Sequence, residues 1–175
     1  MESLELHLDA ASQQRVRELW EALLGSGIAS LARHDYNTPH VTLAALAHTE
    51  GRLTQSLPLL ERAATGLVGH GVTLSGLATF PHTRSVLYAS VVPTIALLHG
   101  HVELHELLAA RGLAPYGTSL PARWTPHCTL AKRVRTDELG AAFAALADCT
   151  WPIEARVARV IHWDGATREV TTLAA

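Results

Sequence analysis

The sequence predicts an α+β protein: two similar antiparallel-sheet lobes, helices packed outside, meeting at a central cleft with pseudo-twofold symmetry. Three observations point there. First, Thr38-Pro39-His40-Val41-Thr42-Leu43-Ala44 returns 87 positions later as Thr125-Pro126-His127-Cys128-Thr129-Leu130-Ala131, identical at six of seven places. A repeat of that quality arises by accident at roughly the one-in-a-thousand level, so one site is built twice. Second, segments with strand alternation take turns with segments of helical spacing. Third, two hairpin signals, residues 72–79 with 86–92 and the pair flanking Asp164-Gly165, require antiparallel pairing. One motif strand comes from each lobe; the pattern does not assign the other strands.

The elements follow in order. Leu4-Glu5-Leu6-His7-Leu8 alternates as a strand does. Val16, Leu19, Trp20, Leu23 and Leu24 fall at helical spacing, an amphipathic helix ending near Gly25. Residues 41–46 form the first motif strand. A short helix is expected over 56–64, where Pro58 is tolerable only in the first turn. The strand pair 72–79 and 86–92 precedes a helix over 94–110 with Ile95, Leu98 and Val102 on one face. Residues 127–132 form the second motif strand. Thr136 is placed to cap a helix carrying Leu139, Ala142, Phe143 and Leu146. Strands near 153–163 and 169–173 close the chain. Trp20 and Trp151 read as core.

At 175 residues, 48% hydrophobic and 17% charged, residues 1–175 are expected to form a single bilobal domain. No apolar run reaches membrane-spanning length, and Met1-Glu2-Ser3 lacks the basic region of a secretory signal. Cys128 and Cys149 have neither disulfide-framework nor zinc-site spacing, so a cytoplasmic location is expected, with Cys128 facing the core. A monomer is expected.

The chemistry follows from strand geometry. Residues i and i+2 of a strand share a face, so His40 projects with Thr42, and His127 with Thr129, each pair roughly 7 Å apart along its strand. Two such strands facing one another offer two imidazoles and two hydroxyls around one cavity. Phosphodiester hydrolysis uses that set: a neutral imidazole deprotonates water, a protonated one protonates the leaving oxygen, and hydroxyls hold the non-bridging oxygens. Neither metal nor cofactor is needed. A lone His-x-Thr is more often a surface polar pair; the shared context argues for a site.

Two His-x-Thr-Leu motifs half a chain apart resemble the two-histidine (2H) phosphoesterase superfamily, which includes the 2′-5′ RNA ligases and the 2′,3′-cyclic phosphodiesterases. Residues 4–24 look like the family's first strand and helix, Thr79-Phe80-Pro81 to Val86-Leu87-Tyr88 like its middle hairpin, and Trp124-Thr125-Pro126-His127 like its approach to the second motif. The resemblance implies His40 and His127 as catalytic and Thr42 and Thr129 as phosphate-binding residues.

A net charge of −2 argues against a protein that coats long nucleic acid. Locally, no acidic residue lies between Glu106 and Asp137, while Arg111, Arg123, Lys132, Arg133 and Arg135 do. Such a field favours an anionic substrate. Lys132, the only lysine, and Arg133 are candidate substrate-binding residues; alternation favours Arg133, and analogy with the family favours Lys132. Tyr116 and Trp124, in a Pro- and Gly-rich loop before the second motif, are preferred over Phe80 and Tyr88 as platforms for a base. His99, His101 and His105 resemble a metal cluster, but Ala109 breaks the His-Glu-x-x-His pattern, and a solvated or partly buried helix face is the better reading.

The expected partner is a small nucleotide or an RNA terminus with a cyclic phosphate, with no membrane. The expected activity is a metal-independent phosphodiesterase on 2′,3′-cyclic phosphate, with 2′-5′ ligation as its reverse. The alternative is a non-catalytic protein that holds a nucleotide or RNA terminus. Which histidine is base and which acid is not set by the sequence.

Overall fold

A computed structural model describes residues 1–33, 37–47 and 49–175. Among the described residues the chain runs β1 (Glu2–Leu8), α1 (Ala10–Gly25), β2 (His40–Leu46), α2 (Arg52–Thr65), β3 (Gly71–Phe80), β4 (Arg84–Val91), α3 (Ile95–Ala110), β5 (His127–Arg135), α4 (Leu139–Ala145), β6 (Ile153–Asp164) and β7 (Glu169–Ala174). The order strand-helix-strand-helix-strand therefore occurs twice, from β1 to β3 and from β4 to β6, with β7 appended.

Every pairing is antiparallel, in the order β1-β2-β5-β4-β3-β6-β7, and β6 also pairs with β1. The first six strands thus form a closed ring. The ring obeys the twofold that the repeat predicts. His7 stands opposite His40 and Glu5 opposite Thr42 on β1 and β2; Ser90 stands opposite His127 and Tyr88 opposite Thr129 on β4 and β5. Glu5 and Tyr88 are therefore twin positions, as are His7 and Ser90. Likewise β3–β4 is the counterpart of β6–β1.

Alternation supplies the core. On β1 the odd-numbered Ser3, Glu5 and His7 share one face and Leu4, Leu6 and Leu8 the other, the leucines fully buried with Val16, Leu19, Trp20 and Leu23 of α1. Burying a leucine contributes about 1.5–3 kcal/mol, so this interface anchors the sheet. Asp9 starts α1 by accepting the Ser12 N–H at 3.0 Å.

Two expectations, for Pro58 and Thr136, are corrected, and the structure adds which face of α3 is buried. Helix α2 begins at Arg52, so Pro58 lies beyond the first turn; its missing N–H costs roughly 3 kcal/mol, offset by burial of Leu53, Leu60, Ala63 and Ala64. Thr94 caps α3, but Ile95, Leu98 and Val102 face outward while Leu97, His101, Leu104, His105 and Leu108 are buried. Two of the inward positions, His101 and His105, supply N–H donors to backbone carbonyls, which aliphatic residues there could not. Thr136 does not cap α4; it opens a 3₁₀ turn, Thr136–Glu138, where the Glu138 carboxylate accepts the Arg135 N–H at 2.8 Å. In α4, Ala142 and Leu146 are buried and Phe143 is 37% exposed.

Gly100 has a steric reason. A Cβ there would meet a Leu67 methyl carbon at 2.4 Å, so any larger residue would force the buried Leu67, just beyond α2, to move.

Candidate active site

The two motif strands meet through one register, Val41 opposite Cys128. These residues occupy the same place in the repeat, so the pseudo-twofold axis passes between them. Counting outward along antiparallel strands sets His40 beside Thr129 and Thr42 beside His127, with the two histidines on the diagonal of a four-residue patch. All four are half-buried, while Val41, Leu43, Cys128 and Leu130 are fully buried beneath them. Burial pushes the Cys128 thiol up to about 12, so it packs and does not react.

The repeat is seven residues long for a reason. The His40 Nδ1–H donates to the Thr38 carbonyl at 2.7 Å, and the His127 Nδ1–H to the Thr125 carbonyl at the same distance. The proline between fixes its own φ and keeps the preceding threonine extended, which aims that carbonyl at the ring. With Nδ1 committed, Nε2 of each ring is the atom free to accept or release a proton.

The surroundings of the two imidazoles differ. Beside His40 lies the buried Glu5 carboxylate, its Oε2 3.6 Å from Nδ1. Glu5 also receives the His7 Nε2–H at 3.3 Å and the Ser3 hydroxyl at 2.6 Å. Burial alone would raise this carboxyl; the charge of His40 and the bonds from His7 and Ser3 outweigh it and hold Glu5 at about 2. Beside His127 lie aromatic rings instead: Phe80 edge-on at 4.9 Å and Tyr88 at 5.0 Å. Burial lowers the His127 pKa, against the pull of the Thr125 carbonyl, and the charges of His40 and Lys132 lower it further.

The register of β5 shows which basic residue adjoins the motif. On β5, Tyr88 pairs with Thr129 but Leu87 pairs with Ala131, an extra residue that makes a bulge and reverses the alternation after Thr129. Position 132, not 133, inherits the face of His127 and Thr129. A second shift follows between Leu87 and Ser85, where Arg133 takes a φ of 62°. The same bulge occurs in β2, where Glu5 pairs with Thr42 and Leu4 with Ala44. There the twin of Lys132 is Ala45. Arg133 is exposed, and Arg135 is engaged with Asp137 at 2.6 Å.

The aromatic residues also fall differently from the sequence preference. Phe80 and Tyr88, ranked below Trp124 and Tyr116, are the ones at a motif histidine, His127. Trp124 lies flat on His101, centroids 3.7 Å apart and planes within 2°, and its indole N–H donates to the Thr42 carbonyl at 3.1 Å. Tyr116 is 45% exposed, and its backbone N–H donates to the Ala45 carbonyl at 3.0 Å. Trp20 is core, as read, but its indole also donates to the Thr129 carbonyl at 3.1 Å. Each motif threonine is thus held from behind by an indole.

The His-rich helix is a buttress. His101 and His105 both donate Nε2–H to the Leu43 carbonyl at 3.0 Å, and His101 also to the Ser119 carbonyl at 2.9 Å. Among the described residues no group of three or more His, Cys, Asp or Glu is arranged to hold a metal ion.

A family model described as the 2′-5′ RNA ligase superfamily matches residues 8–168. The chain belongs to the 2′-5′ RNA ligase superfamily. This bears out the two-histidine phosphoesterase resemblance carried by the two motifs, and makes the superfamily member an enzyme directed at phosphodiester bonds. Solved structures share its fold. The MHV ns2 PDE domain superposes with a TM-score of 0.58 at 14% identity, covering 98% of this chain and 97% of that one. Kluyveromyces marxianus Usb1 with uridine monophosphate gives 0.59 at 14%, covering 99% and 97%. E. coli LigT complexed with 3′-AMP gives 0.56 at 16%, covering 98% and 91%. No curated protein sequence matches it. Among the described residues of this superfamily member, no helix is long and apolar enough to cross a membrane.

Proposed function

We propose that this chain, as one bilobal domain spanning residues 1–175, is a metal-independent phosphodiesterase that opens 2′,3′-cyclic phosphate on nucleotides or RNA ends. The observation that carries the reading is the pair of imidazoles whose Nδ1–H groups are tied to backbone carbonyls, leaving two Nε2 atoms on one patch with two threonine hydroxyls. One neutral Nε2 takes a proton from water as the water oxygen bonds to phosphorus. The other, protonated, delivers its proton to the 2′- or 3′-oxygen as that P–O bond breaks. Thr42 and Thr129 hold the non-bridging oxygens, and Lys132 balances their charge. With the 5′-hydroxyl of a second RNA end in place of water, the same steps form a P–O5′ bond as the P–O3′ bond breaks and its oxygen is protonated, which joins the ends through a 2′-5′ linkage. Uridine monophosphate and 3′-AMP in the Usb1 and LigT structures support a nucleotide-sized substrate.

The test is turnover of the four 2′,3′-cyclic mononucleotides and a cyclic-ended oligonucleotide in excess chelator, resolving 2′- from 3′-phosphate products. The expected result is hydrolysis that survives the chelator, with a rate that rises and then falls across the histidine range. A rate abolished by chelator and restored by a metal removes the metal-independent mechanism. Tight binding without turnover replaces the enzyme by a nucleotide-binding protein.

A further inference from the structure

We propose that Glu5, steadied by Ser3 and His7, is a positioning residue that makes His40 the general acid and leaves His127 the general base. The inference rests on the two-histidine reading above and adds to it the direction of proton flow.

Three observations carry it. The first is the contact: Glu5 Oε2 lies 3.6 Å from His40 Nδ1, with Glu5 only 7% exposed. A carboxylate in so sheltered a place pairs with the cation that His40 becomes, and it does so from the side opposite the reacting Nε2. The second is the twin position. The pseudo-twofold sets Tyr88 where Glu5 stands, so this fold closes its ring without a carboxylate there. A buried charge destabilises a fold unless it is paired, which makes Glu5 a poor choice for packing alone. Around His127 the same shell is Tyr88 and Phe80, joined by Lys132, which opposes a second cation. The third is His7. Its Nε2 is 3.3 Å from Glu5 Oε2, while its Nδ1 is buried with no hydrogen-bond partner. A charged His7 would bury an N–H without an acceptor, so the neutral ring with Nε2–H toward Glu5 fits the site. It orients the carboxylate without neutralising it. The titratable groups facing His40 among the described residues are therefore Glu5 and His7 from β1 and His127 from β5.

The experiment compares wild type with Glu5→Gln, by NMR titration of the His40 and His127 rings without substrate and by the pH–rate profile on a 2′,3′-cyclic mononucleotide. In the variant His40 loses its proton at lower pH than in wild type, the direction expected when an adjacent opposite charge is removed. The high-pH limb of the profile falls with it, and the low-pH limb stays. Movement of the low-pH limb instead would make His40 the base and overturn the assignment. An unmoved His40 titration in a folded variant would reduce Glu5 to a structural residue. If Glu5→Gln does not fold, Glu5→Asp keeps the charge at greater distance, and a smaller shift in the same direction is expected; no shift there overturns the proposal. The ring titrations need no turnover, so they stand even if His40→Ala proves active and the two-histidine reading itself fails.

Discussion

His101 holds the floor of the site, and the price of its burial can be read as a function of pH. Its ring is 1% exposed, stacked on Trp124, with Nε2–H shared between the Leu43 and Ser119 carbonyls. Burial, then the neighbouring charge of His105, push it from 6.5 down to about 4, against the pull of the two carbonyls. The unfolded chain binds this proton as pH drops below 6.5, while the folded chain refuses it until about 4. Stability is therefore full above 6.5 and drains between those two values. A gap of that width corresponds to about 3 kcal/mol, a large share of the roughly 5–15 kcal/mol typical of a domain. His101→Gln offers an N–H to the same carbonyls but does not titrate. Urea unfolding of both proteins near pH 7.5 and near pH 4.5 is the assay. The variant starts less stable, having lost the stack on Trp124, and then loses about 2–3 kcal/mol less than wild type on acidification. Equal losses in the two proteins would refute the reasoning.

Two further outcomes are expected. His40→Ala and His127→Ala each lower the hydrolytic rate about 10²–10⁴-fold, and the double variant loses far less than the product because the rings act as one unit; steady-state rates on folded variants check this. Lys132→Met relieves one of the charges that lower the His127 pKa, so the limb of the pH–rate profile set by His127 moves to higher pH and KM for the anionic substrate rises. Arg133→Met leaves that limb in place, and a shift of equal size in both variants would contradict the bulge assignment.

What was legible in the sequence depended on the range of the information. The motif strands, α1 and the hairpins were readable because strand and helix periods are local, and because Thr-Pro-His repeats with its carbonyl-to-ring bond intact. The choice between Lys132 and Arg133 was not, since a bulge at Leu130–Ala131 is set by the partner strand, and counting by two along β5 gives the wrong face beyond it. Glu5 and His7 were missed although a signal was present: both are polar positions in an alternating leucine strand, on one face. Connecting that face to His40 needs the β1–β2 register, which no local pattern contains. Trp124 was misjudged for a similar reason. Its loop suggested an open platform, but a buried histidine on α3 and a carbonyl on β2 claim its face and edge.

The closed ring has a consequence for how an acid and a base come to differ. Each half of the chain ends in strands whose partners lie in the other half: β3 needs β4, and β6 needs β1. Two copies of one half could close the same circle as a symmetric pair, with a cleft at their seam. Such a pair would hold two identical imidazoles in identical settings, and nothing in the protein would tell donor from acceptor. Joining the halves on one chain lifts that restriction. Glu5 can stand where its twin is Tyr88, and Lys132 where its twin is Ala45, so the two imidazoles sit in unlike settings, the asymmetry on which the proposed direction of the proton rests.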